Sequence, residues 1–192
     1  MTGAGHVVGL GLFNEDRVAQ LDAIKAAMRV FLGFTLAFHG YWKVFQGGKI
    51  AGTARWFDSM GMKPNGRIHA IAAAGTELGA GTMMALGLLT PLAAAGYVGL
   101  MIVAAWTVHR ANGYRSGVDG WEYNSVLAAS AAYLAATGPG RWSLDQAIGL
   151  DVPFRPALAL LIALGVGTIG GVGLLVTCYR PPAPAPDADA DA

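Results

Sequence analysis

One carboxylate, Glu77, stands near the centre of "AAAGTELGAGTMMALGLLTP", residues 72–91, a run of small and apolar side chains long enough to cross a bilayer. An ionisable group at that depth costs on the order of 2.5 to 3.5 kcal/mol even on lenient insertion scales, so it should face a bundle interior, a water pocket or a partner. The preceding apolar run carries His39 and Lys43 in "HGYWKVFQGG". Acid and imidazole in an apolar setting are the side-chain types that take up and deliver protons, and Glu77 and His39 are the candidate catalytic pair. At about 1.5 Å rise per residue, Glu77 lies roughly 14 Å and His39 roughly 9 Å from the same membrane face. Lys43, His109 and Glu122 fall near that face as well, in a layer with Tyr41, Trp42, Trp106, Trp121, Tyr123 and Asn124. Arg29 approaches from the opposite face, too far to be the first choice of partner for Glu77. Candidate ligand-binding residues are therefore Arg29, Lys43, Tyr41, Trp106, His109, Glu122 and Asn124, and no metal set is visible.

Each residue also has a structural duty to weigh. Tyr and Trp at span ends form the usual interfacial belt. Lys43 can extend to the headgroups, His109 and Glu122 can be interfacial, and His39 can bond a neighbouring carbonyl. Glu77 can serve as a neutral acid bonded to an adjacent helix. The single cysteine, Cys178, permits no intrachain disulfide and no paired-thiol electron shuttle, and reads as an apolar filler.

The elements that must hold these residues follow from composition. Apolar residues make up 54% of the 192, charged ones 13%, and the mean hydropathy is +0.46. These values exclude an ordinary soluble domain and point to a membrane protein. Five runs approach the roughly 20 residues that a spanning helix needs: 24–45, 68–89, 92–109, 121–137 and 156–179. None alternates as a barrel strand would, so the expected fold is all-α, a polytopic membrane helix bundle. Pro91 reads as the first turn of the third span. Gly75-x-x-x-Gly79, with Gly81 beyond, and Gly167-x-x-x-Gly171 read as helix-packing surfaces. Between the first two spans, Trp56, Phe57, Met60 and Met62 among basic residues suit a short amphipathic helix in the interface.

Residues 1–23 lack the basic start of a cleaved signal and are expected to form an interfacial or loose segment. Residues 24–145 form the core domain, and 146–180 a linker and fifth transmembrane helix. Residues 181–192, Pro, Ala and Asp, form a disordered tail. Lys43, Lys49, Arg55, Lys63, Arg67, Arg110, Arg115 and Arg180 share one side, against Arg17, Lys25, Arg141 and Arg155 on the other. This excess puts the N-terminus outside and the C-terminus in the cytoplasm, in a plasma (inner) membrane. A net charge of +1 without a basic stripe gives nucleic-acid binding no support.

"HGYWKVFQGG", "TELGAG", "GLLTPLAA", "DGWEY" and "GPGRWSLD" together resemble the DoxX family, in matching order from about 29 to 145. The resemblance implies a four-helix membrane core, to which this chain adds the fifth span. It also implies an intramembrane polar set at Arg29, Lys43, Glu77 and Glu122, with Arg141 and Asp145 in the closing motif. The family takes its name from a membrane subunit associated with thiosulfate:quinone oxidoreductase, and its members are linked to respiratory or redox-stress systems. The expected function is a membrane subunit of such a complex, with a quinone-headgroup pocket around Glu77 and His39 and no covalently bound cofactor. Electrons would come from another membrane or peripheral redox protein, since no flavin, haem or iron–sulfur motif is present. The alternatives are a scaffold that docks a partner complex and a small-molecule transporter. The closing motif has a local reading too: Gly138-Pro139-Gly140 stops the fourth helix, and Ser143 and Asp145 cap a short helix at "SLDQAIGL".

Overall fold

A computed structural model of the chain describes residues 15–150 and 155–182. Among them the regular structure is helical, with one isolated antiparallel bridge. The helices are α1 (Glu15–Phe45), α2 (Lys49–Ser59), α3 (Gly66–Leu86), α4 (Thr90–Ala104) and α5 (Glu122–Thr137). They are followed by α6 (Leu144–Ala147), α7 (Pro156–Leu161) and α8 (Gly167–Cys178). A π-helical turn, Ala105–His109, prolongs α4, and another, Ile162–Val166, joins α7 to α8.

The five apolar runs all lie on helices, but only Thr90–Asn112 and Pro156–Cys178 are by themselves long and apolar enough to cross a membrane. The physical reasons are local. α1 carries Asp22, Lys25, Arg29 and Lys43 within its length, and α5 has only 16 residues, about 24 Å. α1 also begins at Glu15, inside the stretch expected to be loose. Glu15 and Asp16 favour a helix N-terminus by opposing its dipole. Asp22 is then held by Arg141 (3.4 Å), and Lys25 donates to the Thr137 carbonyl (2.8 Å). The segment 1–14 and the tail beyond 182 lie outside the described residues.

α1 and α3 run antiparallel in close contact. A Cβ on Gly33 would stand 2.4 Å from the Gly81 carbonyl, and one on Gly40 2.9 Å from the Leu78 nitrogen. Glycine at these positions lets the backbones approach. Gly81 is thus the packing residue of α3, while Gly75 and Gly79 are exposed with no neighbour in reach, contrary to the sequence expectation. Gly167 and Gly171 do pack, against the Ala95 and Gly99 carbonyls of α4.

The main core gathers Leu32 and Leu36 of α1, Met84 of α3, Tyr97 of α4 and Leu134 of α5. Tyr97, fully buried, donates its hydroxyl to the Leu32 carbonyl, as a buried phenol requires. A second cluster, Ala54, Phe57, Met62 and Ala70, seats the amphipathic α2 against α3. The loop after α2 is clipped to the end of α8: the Lys63 amide donates to the Cys178 carbonyl (2.8 Å) and the Arg180 amide to that of Gly61 (2.9 Å).

Candidate functional site

Glu77 sits midway along α3 with its side chain 11% exposed, on the face that meets α1. Lys43, in the last turn of α1, donates from Nζ to Glu77 Oε1 at 2.5 Å. The antiparallel glycine contact brings both backbones close enough for this reach. The second carboxylate oxygen, Oε2, is buried without a hydrogen-bond partner among the described residues. His39 lies one turn before Lys43 on α1 and is exposed. This gives a buried acid with one oxygen held by a cation, the other free, and an imidazole on the adjacent surface.

The other sequence candidates do not converge there. Tyr41 belongs to an exposed aromatic ridge on α1, 6.5 Å from Phe38 and 5.0 Å from Phe45 between ring centres. Trp106 carries the Arg110 guanidinium over its ring at 4.3 Å. His109 bonds the Asp119 carbonyl through Nδ1 at 2.7 Å, and Glu122 accepts from the Ser116 amide at 2.8 Å. Both therefore close the α4–α5 connection. Asn124, buried on α5, donates to the Met101 sulfur at 3.7 Å.

Arg29 organises the opposite end of the molecule. It is 1% exposed. Its Nη2 donates to the Trp142 carbonyl (2.5 Å) and its Nη1 to that of Ala85 (3.3 Å), while Nε is buried without a partner. Gly87, at φ +64°, ends α3 where a Cβ would stand 2.0 Å from Arg29 Nη1. Ser143 caps α6 through the Gln146 amide, as its spacing suggested. Asp145 instead reaches across to the start of α4. It accepts from the Leu89 amide (2.6 Å), the Thr90 amide (3.0 Å) and the Thr90 hydroxyl (2.9 Å). These bonds satisfy donors that a helix N-terminus leaves open.

Two features escaped the sequence reading. His69, buried at the start of α3, bonds the Lys63 carbonyl through Nε2 at 2.7 Å. It also lines an apolar groove of about 330 Å³ between α3, α4 and α8. Thr76 borders that groove, whereas Glu77, the next residue, turns toward α1. Among the described residues no group of three His, Cys, Asp or Glu side chains converges to hold a metal.

The DoxX family profile matches residues 24–110. Over that stretch the chain is similar to the DoxX family. The match contains Arg29, His39, Lys43 and Glu77, and with them the ion pair, all of α3 and α1 from residue 24 onward. Glu122, Asn124, the closing motif and α8 lie beyond it. The DoxX match and two helices of spanning length point to a membrane protein. No curated protein and no solved structure matches the chain.

Proposed function

We propose that this protein is a five-span membrane subunit of a respiratory or redox-stress complex, in which Glu77 and His39 exchange protons with a quinone headgroup. The observation that carries this reading is the free, buried Oε2 of Glu77 beside the Lys43 contact. An unpartnered oxygen in a desolvated setting is ready to accept a proton or a donor from a ligand. Reduction of a quinone to the quinol takes two electrons and two protons. The electrons come from a partner redox protein, the protons pass through His39 and Glu77, and Lys43 orients the ring oxygen. The end bearing Lys43, Arg67 and Arg180 faces the cytoplasm, following the basic excess there. The test is quinone binding by the purified protein in nanodiscs, together with the quinone-linked activity of membranes carrying Glu77→Gln. Loss of both supports the proposal, and retention of both refutes it.

A scaffold role is favoured by a different observation. Glu77 already has a cation, and the α1–α3 contact around it is tight. On that reading Glu77→Gln weakens the assembly with its partner complex and leaves ligand binding unchanged.

A further inference from the structure

The groove beside α3 is set apart from Glu77 and has its own chemistry. Ala72, Ala73, Gly96, Gly99 and Gly170 give it a smooth wall, and its only polar side chains are His69 and Thr76. The His69 Nε2 is already engaged by the Lys63 carbonyl. Little is left to recognise a polar ring, so the occupant must be mostly hydrocarbon. The stretch of α4 that lines it, from Leu92 to Val103, covers about 16 Å, the length of an extended chain segment rather than of a compact ligand. Ala72, Leu92, Val166 and Gly170 are exposed along it, on helices that include both segments of spanning length. It therefore opens to lipid.

One end of the groove is formed by Phe57, Met62 and His69 and closed by the clip between the α2–α3 loop and α8. That clip carries Lys63 and Arg180, both exposed. Lys49, Arg55 and Arg67 are exposed on the neighbouring α2 and the start of α3, and none of the five forms an ion pair among the described residues. Asp58, the acid of that region, already accepts from the Gly66 amide at 2.5 Å. Arg180 donates from Nη1 to the Val176 and Tyr179 carbonyls (3.1 and 2.7 Å) but has no acidic partner among the described residues. A hydrocarbon slot ending under a surplus of cations without acidic partners is complementary to a lipid with a negative headgroup.

We propose that the groove between α3, α4 and α8 is a binding site for one anionic phospholipid, an acyl chain lying along the glycine wall and the phosphate held at the clip by Lys63 and Arg180. The site joins the DoxX stretch to the helix outside it, so the lipid would fasten α8 to the core. The proposal rests on the membrane reading and is independent of proton exchange at Glu77.

The experiment offers the full-length protein phosphatidylglycerol and phosphatidylcholine in equal amounts in mild detergent and weighs the retained complexes by native mass spectrometry. Wild type is expected to retain one phosphatidylglycerol. Gly170→Leu fills the slot at a position where a Cβ meets no atom within 4 Å, so the variant should fold and lose the lipid. Gly170→Ala should keep it. Lys63→Gln and Arg180→Gln are each expected to reduce the preference for phosphatidylglycerol about fivefold, as removal of one interfacial cation does. Glu77→Gln should bind lipid as wild type does. Equal retention of the two lipids, unchanged retention by Gly170→Leu, or recovery of a neutral quinone displaced by Gly170→Leu would overturn the proposal.

Discussion

Lys43 and Glu77, 34 positions apart in sequence, meet at 2.5 Å across the α1–α3 contact. The two side chains are mostly buried, and only one carboxylate oxygen is satisfied. Removing one partner of a buried pair leaves an uncompensated charge, which costs about 3–5 kcal/mol, whereas replacing both by apolar groups is often near neutral. Lys43→Met is therefore expected to lower Tm more than the double variant Lys43→Met/Glu77→Leu. Thermal unfolding of the three proteins in one detergent checks this, and equal losses would mean that the pair is not energetically coupled.

Arg29 acts through its planar fork, with two nitrogens on the carbonyls of Ala85 and Trp142. Lysine has the charge but not the fork. Arg29→Lys is expected to lose about 1.5–3 kcal/mol, the range for a hydrogen bond to a charged group. Proteolysis should also accelerate around 138–143, the segment that Arg29 tethers.

Asp145 caps α4 from the far side of the chain. Asp145→Ala removes a cap worth about 0.5–2 kcal/mol. The Leu89 and Thr90 amides should then exchange with deuterium faster, while the Ser143-capped turn at Gln146 stays protected.

The glycines of α8 differ by face. A Cβ on Gly171 would stand 2.9 Å from the Gly99 carbonyl, and one on Gly173 meets nothing within 4 Å. Gly171→Leu should separate α8 from α4, read as a fall in Tm on thermal unfolding in detergent. Gly173→Leu should leave Tm close to that of wild type.

Much of this was legible in the sequence. The apolar runs, Pro91 at the start of α4 and Gly138 after α5 located the helices, because length and stop signals are local properties. Depth arithmetic put Glu77, His39 and Lys43 in one layer, but it says nothing of azimuth. It therefore grouped Tyr41, Trp106, His109 and Glu122 with them, although those side chains turn to other faces or to the α4–α5 connection. Asp145 looked like a local cap, yet its partners lie 55 and 56 positions away. His69 gave no signal, since its burial depends on α2 folding back over the start of α3. The early start of α1 likewise depends on Arg141 and Thr137, far along the chain.

The most direct test of proton exchange at Glu77 is an infrared difference spectrum of the purified protein in nanodiscs, recorded on adding a quinone and again on reducing it. The account predicts a carboxyl band that changes on both steps and is absent in Glu77→Gln. A spectrum with no carboxyl change, or one identical in Glu77→Gln, would contradict it.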